Sequence, residues 1–238
     1  MINVQDDKGY NQGFVDSYTM QIRSQRRVDY IISLMNNEEG KDVLEIGCGR
    51  GEISNYIASK TKNFILGTDI CVPFVEIAKT RYNQDNLKFE VLDFNQPEKI
   101  ENRKFDYIIG NGILHHLYYN IDEALINIKT LLKPGGKLIF LEPNIYNPYC
   151  YLIFSTLPIF RKMAKLEPSE KAFSKKFISK KLKSIQFIEI EVEYKDFLLP
   201  IIPKFLIKFV VKIGNILEKI PIIKLTTQSI FISATKPS

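Results

Sequence analysis

The chain has 238 residues, 45% of them apolar, which allows one well-buried α/β core and is too little for two full domains. Net charge is +6, but residues 1–160 sum to −3 and residues 161–238 to +9, so an anionic partner is expected at the last third unless those lysines form only a solvated face. Cys48, Cys71 and Cys150 are odd in number and lack CxxC spacing, which argues against a disulfide framework or a zinc site.

The opening MINVQDDKGYNQGF is polar and lacks the apolar run of a secretory leader, so a cytoplasmic protein is expected. Ser17 to Met35 repeats apolar residues at helical spacing, with Arg23, Arg26 and Arg27 between them. Asp42 to Ile46 reads as a buried strand, and Gly51 to Ser59 as the helix after a glycine turn. Strands follow at Asn63 to Gly67, ending at Asp69, at Leu87 to Val91, ending at Asp93, and at Phe105 to Ile109, ending at Asn111. Helices are expected at Val72 to Tyr82 and Ile121 to Leu132, the second stopped by LKPGG. A fifth strand, Lys137 to Leu141, ends at Glu142. A basic helix, Lys171 to Lys183, precedes strands at Ile185 to Tyr194 and Gln228 to Thr235. Strands alternating with helices predict a mostly parallel sheet with right-handed crossovers. The uncharged run Pro143 to Phe160 contains three prolines and is not read as a spanning helix.

The stretch VLEIGCGRGE is the most informative. A glycine-rich turn between a strand and a helix lets a ligand approach the backbone at the carboxyl end of a parallel sheet. The pattern is ExGxGxG rather than the GxGxxG of dinucleotide enzymes, and Arg50-Gly51-Glu52 is not the Gly-Lys-Ser/Thr of a phosphate loop. Glu52 places an anion at the helix start, where a pyrophosphate would sit. A ligand without phosphates is expected.

LEIGCGRGE, then GTDI, LDF, FDYIIGNGILHHL and LLKPGGKLIFLEPN, in that order, resembles the class I S-adenosylmethionine-dependent methyltransferases over Asp42 to Asn144, closest to their small-molecule, type 11-like branch. The resemblance implies a Rossmann-like seven-stranded sheet with the last strand antiparallel. It divides the chain into an N-terminal helical cap (1–40), a cofactor-binding core (41–143) and two lid or acceptor inserts (144–170 and 197–227). It implies S-adenosylmethionine as cofactor and no metal. Glu45 would orient the methionine ammonium, and Gly47, Cys48, Gly49 and Gly51 would pass under the methionine and ribose. Asp69 would accept from the ribose hydroxyls, Ile70 would pack on the adenine, Asp93 would take the adenine amino group and Phe94 would lie at the ring edge. Asn111 would sit near the ammonium or sulfonium. Tyr10, Asn11 or Arg23 would reach the methionine end or the acceptor from the cap.

Methyl transfer from a sulfonium needs alignment above all, and an O–H or N–H acceptor also needs a base. The only histidines, His115 and His116, stand just beyond the fourth strand and are the candidate bases, with His116 preferred; the alternative is that they only pack and cap. Glu142, Asn144 and Tyr146, after the fifth strand, are candidates for acceptor binding. Within 203–220, Lys204, Lys208, Lys212, Asn215 and Lys219 form one polar stripe on an otherwise apolar helix. That helix could be a lid, a peripheral membrane contact or a dimer surface, leaving monomer and homodimer both open. The expected function is methylation of a small or lipid-like acceptor. The alternatives are a phosphate-bearing cell-envelope sugar intermediate and a non-catalytic cofactor-binding protein. Nucleic acid is not expected, because Asn111-Gly112-Ile113-Leu114 stands where an NPPY-type motif would.

Overall fold

The computed structural model describes residues 17–96, 100, 103–154, 157–200 and 202–238. The elements in chain order are α1 (Tyr18–Leu34), β1 (Asp42–Ile46), α2 (Glu52–Lys60), β2 (Phe64–Asp69), α3 (Val72–Arg81), β3 (Leu87–Val91), β4 (Phe105–Asn111), α4 (Ile121–Leu131), β5 (Leu132–Pro143), α5 (Pro148–Ile153), α6 (Pro158–Met163), α7 (Lys175–Ser184), β6 (Ile188–Lys195), α8 (Ile207–Leu217) and β7 (Ser229–Thr235). Among the described residues, seven strands form one sheet in the order β3-β2-β1-β4-β5-β7-β6. Strand β7 runs antiparallel to both its neighbours and the other pairs are parallel. The expected Rossmann-like architecture is therefore present.

Alternation along the inner strands explains the layering. Val43, Ile109, Ile139 and Leu141 face one side, where Val28 and Ile31 of α1, Ile53 and Ile57 of α2 and Val75 of α3 cover them. Leu44, Ile108, Leu138 and Phe140 face the other, under Leu125 and Ile128 of α4 and Ile178 and Leu182 of α7. A strand covered on both faces is apolar at most positions, which is why these strands read as near-continuous runs; Glu45 of β1 is a buried exception. Ser17 caps α1 by accepting from the Met20 amide at 3.2 Å.

Several boundaries differ from expectation. The LKPGG segment belongs to β5, which starts at Leu132, because Gly135 N donates to Lys236 O at 3.0 Å and Lys236 N donates to Gly136 O at 2.8 Å, extending the ladder beyond β7. Helix α7 begins at Lys175, where the Ser174 hydroxyl accepts from Phe177 N at 3.1 Å. Helix α8 starts at Ile207, after a short 3₁₀ turn at Lys204–Leu206. Two prolines of the uncharged run open helices: Pro148 starts α5 and Pro158 starts α6, the position where a missing N–H costs nothing. Tyr10 and Asn11 lie outside the described residues.

The chain leaves β1 for β2 and β3, then returns to β4 on the other side of β1. That switch opens a crevice at the carboxyl ends of β1 and β4, where ligands bind in open sheets of this kind.

Candidate active site

At the end of β1 the chain turns through Gly47, Gly49 and Gly51, all with positive φ. At Gly49, φ is +54° and a Cβ would meet nothing within 4 Å, so the backbone faces open space there. The amide of Gly49 donates to Asp69 Oδ2 and that of Cys71 to Asp69 Oδ1, both at 2.9 Å. Each carboxylate oxygen keeps a second lone pair for another donor, so the expected diol contact fits the geometry. Burial raises the Asp69 carboxyl above its ordinary range, against the pull of these amides and of His116. Cys48 is buried, its amide donating to Thr68 O and its carbonyl accepting from Gly51 N, both at 2.9 Å, which fixes the turn from within.

Glu45 lies under this turn, 1% exposed, and accepts from the Ser54 hydroxyl of α2. Burial pushes its carboxyl up to about 8, partly offset by Ser54 and reinforced by Glu52 and Asp69. A buried acid held near neutrality is suited to a cationic ligand, whose arrival would favour its ionised form. Glu52, at the start of α2, pairs with Arg81 at 3.5 Å.

The remaining cofactor candidates lie along the same sheet edge. Ile70 is half-buried and Phe94 is buried. Asp93 accepts from Asn95 N and Asn95 Nδ2, each at 3.0 Å, and from Gln96 Nε2 at 3.1 Å, so it also closes its own turn. The Asn111 side chain is engaged by α1: Arg27 Nη1 donates to its Oδ1 at 2.6 Å. Arg23 and Arg27 both approach the buried Asp196, at 3.5 and 3.6 Å, and Arg23 also reaches Gln228. Burial, then the neighbouring Arg27, pull the Arg23 guanidinium down to about 9. Arginines from the cap thus fasten α1 over the strand ends, a role for which the sequence carries no local signal because Asp196 is 169 positions beyond Arg27.

The two histidines stand in a 3₁₀ segment, Leu114–Asn120, directly after β4. Glu142, at the end of β5, caps that segment. Its carboxylate accepts from the amides of Ile113, Leu114 and His115 at 3.1, 2.8 and 3.1 Å and from His115 Nδ1 at 2.9 Å. Glu142 is 1% exposed, and these four donors tie its carboxylate to the histidine segment. Asn144 is likewise turned inward, donating to Leu225 O and Thr227 O at 2.8 and 2.7 Å and so tying the first insert to the second. Tyr146 is exposed.

Glu170 completes the cluster and was not among the expected site residues. It is 2% exposed, with Oε1 3.3 Å from His116 Nδ1 and Oε2 3.7 Å from His115 Nε2. Burial would raise its carboxyl, but the hydrogen bond from His116 and the charges of both histidines hold it below the ordinary range. The imidazoles lie with centroids 4.1 Å apart. The carboxylate facing Nδ1 of His116 makes that nitrogen the donor, which puts the lone pair of its neutral ring on Nε2, whereas His115 has a carboxylate beside each ring nitrogen. Sequence offered one weak sign of Glu170: it closes the first insert, whose ends had to return to the sheet edge.

Comparison with known proteins agrees with this geometry. Residues 44–138 match a family model described as a methyltransferase domain. The chain is 31% identical over 138 residues to a highly reducing polyketide synthase of Cordyceps militaris, covering 53% of this chain and 5% of that protein. It is 30% identical over 130 residues to a ubiquinone biosynthesis O-methyltransferase of Coxiella burnetii, covering 53% of this chain and 54% of that one. The chain thus spans a small fraction of the first relative and about half of the second. A crystal structure of a SAM-dependent methyltransferase from Archaeoglobus fulgidus superposes with a TM-score of 0.62 at 16% identity, over 92% of this chain and 100% of the other, a likeness of fold. The matched family model identifies residues 44–138 as a methyltransferase domain, and the strand order gives the chain the fold of the S-adenosylmethionine-dependent methyltransferases.

Proposed function

We propose that this protein methylates an oxygen or nitrogen of a small or lipid-like acceptor, with His116 as the general base. The observation that carries the base assignment is Glu170, a buried anion that bridges both histidines. The cofactor, when bound, supplies a methyl group on a sulfonium whose sulfur takes the bonding pair as the methyl leaves. The chain's own residues supply placement and proton removal. Asp69, the amide-lined glycine turn and Glu45 hold the donor in position. His116 Nε2 takes the acceptor proton as the new O–CH₃ or N–CH₃ bond forms, and Glu170 stabilises the resulting imidazolium. His115, fixed by Glu142, holds the pair from behind. His116 is the more exposed of the two rings, and its charge reaches Asp69 on the cofactor side. Alignment of acceptor, methyl and sulfur is worth roughly 7–11 kcal/mol in reactions of this type.

The name of the Coxiella relative supports an oxygen acceptor. The test is transfer of label from radioactive S-adenosylmethionine to extract components, with and without lipid, by wild-type protein and by His116→Ala. Label in an organic-soluble O- or N-methyl product, lost in the variant, supports the reading. Cofactor binding with no transfer to any fraction would instead identify a non-catalytic binding protein.

A further inference from the structure

We propose that α8 and the turns flanking it form a docking face for an anionic lipid bilayer, independent of which acceptor is methylated. The helix divides into three faces. Ile207, Gly214 and the partly buried Val210, Val211, Leu217 and Glu218 turn inward, with Gly214 packed against Phe197. One outward stripe is Lys208, Lys212, Asn215 and Lys219. The other is Phe209, Ile213, Ile216 and Ile220, at i, i+4, i+7 and i+11, and it faces solvent, with Phe209 62% and Ile216 56% exposed. Phe205 and Ile222, at the two ends, are 82% and 80% exposed.

A stripe of large apolar side chains at helical spacing, bordered by lysines, is the pattern of a helix lying in a membrane interface. Charge selects the partner. Between residues 197 and 227 there are five lysines and one acidic residue, Glu218. Glu218 is turned inward, accepting from Asp196 N at 2.9 Å with Lys195 at 3.8 Å, so the outward surface carries no acid to offset the lysines. Among the described residues, no carboxylate pairs with Lys208, Lys212 or Lys219. A second copy packed two-fold on the same stripe would bring these lysines against their equivalents, which is unfavourable. Anionic headgroups instead match the lysines while the acyl boundary takes Phe209 and Ile216. No helix among the described residues is long and apolar enough to cross a membrane, so the contact is peripheral.

Flotation with phosphatidylcholine vesicles, with or without a quarter phosphatidylglycerol, tests this on the full chain. Wild-type protein should float with the anionic vesicles at low salt and less with the neutral ones. Replacing Lys208, Lys212 and Lys219 together by Glu should weaken binding by on the order of 100-fold. Phe209→Ser with Ile216→Ser should weaken it at least tenfold while keeping the salt dependence. Both positions are exposed, so an unchanged circular dichroism spectrum and melting temperature should accompany each variant. Wild-type protein that ignores anionic vesicles at low salt would overturn the proposal, as would binding indifferent to both sets of changes. A concentration-dependent dimer that dissociates in the Phe209/Ile216 variant, without vesicle binding, would assign the stripe to self-association instead.

Discussion

The first 143 residues and the last 95 present their chemistry in opposite ways. In the first region the groups proposed to meet a ligand are backbone turns and carboxylates recessed at strand ends: the Gly47–Gly51 turn, Glu45 and Asp69. In the second they are side chains standing out into solvent, on α8 and its flanking turns. A site of the first kind depends on sheet geometry, which many sequences can build. A surface of the second kind depends on which residues happen to be left uncovered. Glu170 crosses this division, since it comes from the second region and holds the histidines of the first.

The largest effect should come from the histidines. His116→Ala should lower turnover about 10²-fold or more while leaving cofactor affinity little changed, as expected for a group used only in proton transfer. Equal turnover in His115→Ala and His116→Ala, both at the wild-type level, would leave alignment or another base as the explanation. Asp69→Ala should weaken S-adenosylmethionine by more than tenfold in calorimetry, because two hydroxyl donors lose a charged acceptor. Unchanged affinity in a folded variant would remove Asp69 from the cofactor site.

Glu170→Gln tests whether the second region reaches the chemistry. Turnover should fall by roughly tenfold with cofactor affinity unchanged, and Glu170→Asp, which keeps the anion, should restore part of the loss. Wild-type turnover in Glu170→Gln would make Glu170 a packing residue. The same cluster offers a sharper alternative, because ligand atoms of His115, His116 and Glu170 lie within 4.8 Å of one another, close enough to hold a metal ion. Turnover is expected to survive exhaustive chelation. Loss of activity restored by one divalent metal would reassign the trio to metal binding.

The smallest effect belongs to Glu45 and appears as a pH slope. Its folded-state pKa, about 8, is above the ordinary carboxylate value, so the folded state holds more protons than the unfolded state between about 4.5 and 8. Its contribution is fully present below that window and is lost as pH rises through it. Denaturant titrations should therefore show a decline in stability across this range that Glu45→Gln flattens. The first region would show this titration in the absence of ligand. Cofactor binding should release protons in the same window, detectable as a dependence of binding heat on buffer.

Local pattern determined a large part of this protein. Near-continuous apolar runs located the inner strands of the sheet, since a strand covered on both faces leaves few positions for polar side chains. ExGxGxG and the acids at successive strand ends located the ligand crevice, because each lies within a few residues of the strand that positions it. Ser17 and Pro148 mark helix starts through contacts or constraints within one turn. What tertiary structure alone decided is long-range. Glu142 became the cap of the histidine segment because β5 sets its carboxylate beside the end of β4. Glu170 met His115 and His116 only through the return of the first insert, which also brings Lys171 N to His115 O at 3.2 Å. Arg23 and Arg27 found Asp196 across most of the chain. On α8 the lysine stripe was visible as a periodicity, but which apolar residues face inward depended on where Gly214 meets Phe197. Periodicity defines the faces of a helix; only the surface it packs against determines which one remains outside.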